Sequence, residues 1–277
     1  MVSSFDSSET GDRLAPGWER HRRSIFESTR AASDWLVEAL APQPGQTVLE
    51  LTAGPGETGF LVAERVGPGG RLISSDVSPG MVEAARRGAE AQGLTNVDLR
   101  VMDAQRLDLP DASVDGVLSR FGVMLVPEPE RVLVEGKRVL RAGGRLAYAV
   151  WGAPEGNPWL TLFVGAVLQH GLAPPGDPFG PGGPFSLAAP DRNRELAAAA
   201  GFTDVRVEDV RGAMAYADFD EYWDVQASVS GPIALLVSSL PADDVQAIRA
   251  NLEGMVASFH TDEGLALPWH AVGVAAR

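Results

Sequence analysis

Residues 48–59, VLELTAGPGETG, set an acidic side chain four positions ahead of the first of three glycines at 54, 56 and 59. Val48, Leu49 and Leu51 form the apolar run of a short strand; Gly54, Gly56 and Gly59 allow a sharp turn, a close approach to a ligand and the opening of a helix. A strand, a glycine turn and a helix N-terminus cradle a nucleotide. For a pyrophosphate the turn should offer all its amides, yet Pro55 removes one and Glu50 adds negative charge. The combination suits a nucleoside that itself carries positive charge. Asp76 stands 22 residues beyond Gly54, at the end of the next apolar run, where nucleoside folds place a ribose-reading carboxylate. Asp103 ends the run after that. The spacing of Asp76 is shared with nicotinamide dinucleotide folds, so NAD remains an alternative, with Glu50, Asp103 and Pro55 leaning against it.

These residues need a scaffold that brings strand ends together. The chain alternates short apolar strands with amphipathic helices: VLELT, a helix over 57–66, RLISSD, a helix over 79–92, VDLRVMD, DGVLSR, a helix over 128–140, and RLAYAVW. Such alternation predicts an α/β fold with a parallel sheet covered by helices on both faces. Turn chemistry agrees at 68–70 (PGG), 109–113 (LPDAS) and 141–144 (RAGG). Ligands sit beyond the carboxyl ends of such strands, so Glu50, Thr52, Asp76, Asp103, Ser119 and Arg120 should converge there. An irregular start to about residue 14 precedes one or two helices over 18–40. The expected organisation is a helical cover over 1–44, a cofactor-binding core over 45–152, and a remainder over 153–277 in the same domain. That remainder holds the last strands, GFTDVRVEDV (201–210) and LPWHAVGVAA (267–276), and two lid insertions at about 153–190 and 212–262.

With 277 residues, 45% of them apolar, the chain can bury a real core. A formal charge of −14 speaks against nucleic acid as a partner. The densest basic run, RHRR at 20–23, reads as a solvated helix face. The absence of cysteine removes disulfides, thiolate nucleophiles and cysteine metal sites. The polar, acidic stretch MVSSFDSSETGD is unlike a secretory signal, and no apolar run reaches the roughly 20 residues of a spanning helix. The expected setting is therefore the cytoplasm, without membrane insertion and with a homodimer left open.

From about residue 45 to 152 the sequence resembles the class I S-adenosylmethionine-dependent methyltransferases, in particular the small-molecule branch of ubiquinone and menaquinone biosynthesis. LELTAGPGETG is similar to that family's first motif, RLISSDVSPGMVEAAR to its second, VMDAQRLDLPDASVDGVLSRFGVMLVPEP to its third and fourth, and VLRAGGRLAYAVW to the segment that closes the core. The resemblance implies a Rossmann-like, mostly parallel seven-stranded sheet with an antiparallel last strand and helical lids. It implies that Glu50, Thr52, Ala53, Gly54, Pro55 and Gly56 hold the methionine end of S-adenosyl-L-methionine, leaving S-adenosyl-L-homocysteine as product. Asp76 would accept from the ribose hydroxyls, Val77 and Met81 would pack on the adenine, and Asp103 and Ala104 would meet its edge. Thr52 departs from the glycine, alanine or aspartate common at its position. Ser119 and Arg120 follow the fourth strand, where the arginine would touch the cofactor carboxylate or the substrate.

Methyl transfer from a sulfonium asks mainly for in-line approach and a dry site, and a general base adds ~10²- to 10⁴-fold. The base candidates are His260 and His270 near the last strand and His21 in the N-terminal cover, each of which also has a packing or surface reading. No metal-ligand spacing is present. Trp151, Trp159, Phe163, Tyr222, Trp223 and Phe259 line an apolar or aromatic acceptor pocket or serve as helix packing. The reading is a methyltransferase acting on oxygen or carbon of a small apolar or aromatic acceptor. A nicotinamide-dependent oxidoreductase and a non-catalytic protein that binds the cofactor or its product are the alternatives.

Overall fold

A computed structural model describes residues 7–173 and 176–277. Along the chain these form α1 (Ser7–Ser28), α2 (Arg30–Leu40), β1 (Thr47–Glu50), α3 (Glu57–Val66), β2 (Arg71–Asp76), α4 (Pro79–Ala91), β3 (Val97–Val101), β4 (Val114–Arg120), α5 (Pro129–Val139), β5 (Leu140–Trp151), α6 (Pro158–Gln169), α7 (Pro190–Ala199), β6 (Arg206–Tyr216), α8 (Phe219–Val229), α9 (Pro232–Ser238), α10 (Ala242–Val256), β7 (His260–Thr261) and β8 (Gly264–Ala276). The sheet order is β3-β2-β1-β4-β5-β8-β6, and the two-residue β7 pairs only with β8. β1 to β5 run parallel, while β8 is antiparallel to both β5 and β6. The parallel strands β1 to β5 and the helices α3, α4 and α5 between them are those the strand and helix alternation predicts.

Strand β1 shows why the sequence folds this way. Its residues alternate between two helix-covered faces: Val48 joins a cluster with Leu36, Phe60 and Leu118, whereas Leu49 joins the larger cluster with Leu133, Val117 and Leu146. A strand buried on both faces must be apolar throughout, and each fully buried leucine contributes about 1.5–3 kcal/mol. Helix α4 starts where its sequence says: Ser78 is the N-cap, its Oγ accepts from the Met81 amide at 3.1 Å, and Pro79 fills the first turn.

The N-terminal segment differs from its expected irregular start. Helix already runs from Ser7, and residues 1–6 of that segment lie outside the described residues. Tertiary contacts hold this polar stretch helical. Asp12 Oδ1 accepts from Ser78 Oγ at 2.6 Å and from the Gly80 amide at 2.8 Å, Leu14 and Ala15 pack on Met81 and Ala234, and Gly17 lets α8 approach at Ser228. At its other end α1 reaches the edge strand, where Ser28 Oγ accepts from the Ala215 amide at 3.1 Å. Helix α1 thus spans the carboxyl edge of the sheet from α4 to β6.

Two other elements were hidden in the sequence. Helix α7 carries Asn193 on its inner face, fully buried, donating to Leu187 O and Ala189 O and accepting from Tyr148 Oη at 3.1 Å; a polar residue there disguises the helical period. The RAGG turn lies within β5, which pairs from Leu140 onward with a register shift between Val114 and Gly116. Strand β6 stays paired with β8 as far as Tyr216, so the following helices begin at Phe219. Of the proline-rich insertion, residues 174–175 lie outside the described residues.

Candidate functional site

The carboxyl ends of the parallel strands β1, β2, β3 and β4 lie along one edge of the sheet. At the tip of β1, Glu50 is 2% exposed, its Oε1 accepts from the Gly59 amide at 2.8 Å and its Oε2 from Ser74 Oγ at 2.9 Å. Both oxygens are therefore engaged inside the protein. A methyl at Gly59 would collide with the Glu50 carboxyl, so this glycine exists to admit Glu50 against the first turn of α3. Burial pushes the Glu50 carboxyl up to about 8, against the pull of Ser74, Arg120 and the Gly59 amide. The charged carboxylate aimed at a cationic ligand, expected from sequence, is in this geometry a buried clamp beneath the glycine turn.

The turn itself opens outward. Gly54 and Gly56 adopt positive φ (55° and 93°), a Cβ at Gly54 would meet nothing within 4 Å, and no side chain caps α3 at Gly56. Asp76, at the end of β2, binds the turn to α4: its Oδ2 accepts from the Gly54 amide at 2.9 Å and its Oδ1 from the Ser78 amide at 3.0 Å. Burial raises its proton affinity while these amides oppose the rise. The Val77 amide opposes it as well, and three donors on a carboxylate with about four lone-pair sites leave capacity for a ligand hydroxyl. Ser8 Oγ donates to Val77 O at 3.1 Å, and Met81 is buried behind α1. Asp103 stands exposed beyond β3, accepting from the Gln105 amide at 2.9 Å, with Ala104 buried beside it. The structure thus brings Ala53, Gly54, Pro55, Gly56, Asp76 and Val77 around one turn, with Asp103 at the next strand end.

Between β1 and β4 the backbone is strained. Thr52 and Phe121 both adopt positive φ (52° and 58°), a conformation that costs non-glycine residues about 1–3 kcal/mol and that concentrates at functional sites. Thr52 Oγ1 lies 2.7 Å from Ser119 Oγ, and Gly122 packs directly on the Thr52 side chain. Gly122→Ala is expected to destabilise the chain by about 1–3 kcal/mol through that collision, measured by urea unfolding. Adding Thr52→Gly should restore most of the loss, because it removes the obstructing side chain and tolerates the positive φ. Arg120 donates to Thr29 Oγ1, linking β4 to the start of α2. Burial lowers its proton affinity, opposed by Glu57 and Glu50.

Arg22 corrects the reading of RHRR as a solvated face. Arg20 and Arg23 are exposed, but Arg22 pairs with Glu57 at the start of α3 and donates to Pro55 O at 3.1 Å. Sequence reasoning missed it because its partners lie more than thirty positions away. Phe121 and Trp269 were missed as well. Phe121 stacks on Trp151 with centroids 3.6 Å apart, and Trp159 and Trp269 lie 4.9 Å and 6.2 Å from Trp151. Tyr222 donates to Trp159 O at 2.9 Å, and its ring lies 5.1 Å from that of Tyr216. These rings make an aromatic layer beyond β4, β5 and β8. The one signal that pointed to Phe121 was its place directly after a strand end.

The three candidate histidines are not brought together. His270 Nε2 lies 2.9 Å from Asp209 Oδ1, a contact that holds Asp209 below the usual carboxylate range. His260 is exposed on β7. His21 Nε2 lies 3.1 Å from Asp224 Oδ2 on α8. Among the described residues no group of three or more acidic or histidine side chains is placed to hold a metal, and no helix is long and apolar enough to cross a membrane.

The family model for a methyltransferase domain matches residues 48–144, the strands and turns that build this site. Over 180 residues the chain is 37% identical to aklanonic acid methyltransferase DauC of Streptomyces sp. (strain C5), covering 61% of this chain and 76% of that one. It is 35% identical over 118 residues to the ubiquinone/menaquinone biosynthesis C-methyltransferase UbiE of Ruegeria sp. (strain TM1040), a match spanning 42% of this chain and 47% of that enzyme. Among solved structures, a SAM dependent methyltransferase from Aquifex aeolicus superimposes with a TM-score of 0.52 at 22% identity, over 69% of this chain and 92% of that one.

Proposed function

The chain belongs to the class I S-adenosylmethionine-dependent methyltransferases of small-molecule type, and from that membership we propose that it methylates oxygen or carbon of a small apolar or aromatic acceptor. The observation that carries the site assignment is Asp76, which ties the glycine turn to the N-terminus of α4 and keeps acceptor capacity for a ligand hydroxyl. The donor set suits a cationic nucleoside. Asp76 receives the ribose hydroxyls, Val77 and Met81 border the adenine, and Asp103 and the Ala104 amide meet its edge. The turn from Thr52 to Gly56 holds the methionine end, with Ser119 and Arg120 beside it and Glu50 acting from beneath.

The bound cofactor supplies an electrophilic methyl group on a sulfonium. The chain's own contribution is orientation and exclusion of water, which supply most of the rate in such a transfer. Helix α1 closes the carboxyl edge, and Arg22 fastens it to the glycine turn through Pro55 and Glu57. The aromatic layer of Phe121, Trp151, Trp159 and Trp269 supports a flat, apolar acceptor. The names of DauC and UbiE, which point to aklanonic acid and to quinone biosynthesis, fit an acceptor of that kind. The proposed setting is the cytoplasm, with a homodimer left open.

Titration calorimetry with S-adenosylhomocysteine and with NAD tests the reading. Saturable, micromolar binding of the first and none of the second is expected; the reverse would overturn it in favour of an oxidoreductase. Mass spectrometry of a phenol and quinone panel incubated with the cofactor should show products heavier by one methylene, and a chain that binds the cofactor yet methylates none would be a binding protein.

A further inference from the structure

A groove of about 690 Å³ opens between α1, the end of β6 and the β7–β8 hairpin. Its inner wall is Tyr216, the outermost ring of the aromatic layer, with Ala213, Ala266 and Leu265 beside it. His21 lines the groove from α1. Leu14, Trp18, His21 and Ile25 recur at the spacing of one helical face, and the three apolar members of that stripe pack inward. A histidine has thus been set where the pattern calls for a hydrophobe.

The His21 side chain is nine-tenths buried, at 10% exposure. Its Nε2 lies 3.1 Å from Asp224 Oδ2 but outside hydrogen-bond alignment, the one such buried side-chain nitrogen or oxygen lacking a hydrogen bond among the described residues. Buried polar atoms in native proteins are satisfied, and an exception asks for a role. Asp224 places a carboxylate beside Nε2 without a hydrogen bond to it, which leaves Nδ1 as the nitrogen to meet a ligand in the groove. The charged groups around it are Asp224 and Glu221 from α8, Arg20, Arg23 and Glu27 from α1, and Glu263 from the hairpin. Arg20 Nη1 reaches Asp224 Oδ1 at 3.5 Å, and Arg23 pairs with Glu27.

We infer that this groove admits an acceptor bearing a phenolic or enolic hydroxyl and that His21, with the Asp224 carboxylate beside it, takes its proton. The inference rests on the methyltransferase reading. A hydroxyl nucleophile gains most from such a base, whereas a neutral amine attacks with its own lone pair. The O–H bond breaks with its proton going to the imidazole, the oxygen electron pair forms the bond to the methyl carbon, and the carbon–sulfur bond leaves its pair on sulfur. The imidazolium then returns its proton to solvent.

The test uses the full chain saturated with S-adenosylhomocysteine, 1-naphthol as probe and 1-methoxynaphthalene as control. Carbon-edited NMR reads the four imidazole rings, each assigned by substitution. Naphthol should move the His21 resonances more than those of His170, His260 and His270, and the methoxy control should bind about tenfold more weakly. His21→Gln should weaken naphthol binding about tenfold while S-adenosylhomocysteine binding, which also reports folding, stays within about twofold. Naphthol that fails to bind, or that binds with the His21 signals unmoved, overturns the inference. Failure of S-adenosylhomocysteine to bind the native chain would instead sink the methyltransferase reading.

Discussion

Glu50→Gln is expected to leave the chain folded and to remove a pH-dependent loss of stability that the native chain carries. Burial raises the Glu50 carboxyl from 4.5 to about 8, so the folded state holds a proton that the unfolded state gives up above pH 4.5. The stabilisation from this group is complete below that value and is lost progressively as the pH rises towards and through 8. A displacement of this size corresponds to roughly 2–5 kcal/mol, once water penetration around a buried group is allowed for. Glutamine keeps both contacts, its carbonyl accepting from the Gly59 amide and its amide donating to Ser74 Oγ, and it does not titrate. Urea unfolding at pH 5.5 and 8.5 should show native stability falling steeply while Glu50→Gln stays nearly level across the same window. Equal slopes would mean that Glu50 is ionised in the folded state. Glu50→Ala, by contrast, leaves the Gly59 amide and the Ser74 hydroxyl without their partner and opens a void, a loss of about 3–5 kcal/mol at pH 5.5 that shrinks at pH 8.5, where the native carboxyl has given up its own stabilisation.

The sheet was legible because strands such as β1 are buried on both faces and therefore write themselves as apolar runs, with glycine turns between them. The gathering of Gly54, Asp76 and Asp103 after neighbouring strand ends was legible for a related reason: they are spaced by the lengths of the helices and strands that separate them. What stayed hidden depends on distant pairs. Glu50 read as a ligand carboxylate because its two donors, Gly59 and Ser74, do not announce themselves in the sequence. Arg22 is one of four basic residues in a run, and only its meeting with Glu57 and Pro55 separates it from exposed Arg20 and Arg23.

The same logic explains the aromatic residues. Trp151 and Trp159 were visible as aromatic side chains near a strand end, but their partners were not, since Phe121 reaches Trp151 only through a backbone turn at positive φ. Trp269 alternates with the more exposed Pro268 and His270 in β8 as any strand residue does, and its indole is fixed by donating to Ser28 O at 3.0 Å, at the end of α1. One helix therefore links both halves of the site: its first turns brace Asp76's neighbours Val77, Ser78 and Gly80, and its last turn braces the aromatic layer.

Removing the Asp76 carboxylate should reach both ends of that arrangement. Asp76→Ala deletes the acceptor for the Gly54 and Ser78 amides and, on the proposed reading, for two ribose hydroxyls. Hydrogen bonds to a charged acceptor contribute about 1.5–3 kcal/mol each, and the glycine turn loses the anchor that holds it open towards the ligand. Affinity for S-adenosylhomocysteine is expected to fall by about 1–3 kcal/mol, or roughly 5- to 150-fold in Kd, since the unfastened turn pays an ordering cost on binding. Asp76→Asn keeps the shape and one acceptor oxygen, and should fall between the two. Calorimetry gives the affinities and urea unfolding gives the stabilities. A purely structural aspartate would lower stability in the alanine variant with Kd unchanged, and that result would remove Asp76 from the cofactor site. A loss of affinity in Asp76→Asn at near-native stability would separate ligand contact from loop support, because both variants keep the Ser78 cap of α4 with its bonds to Asp12 and Met81.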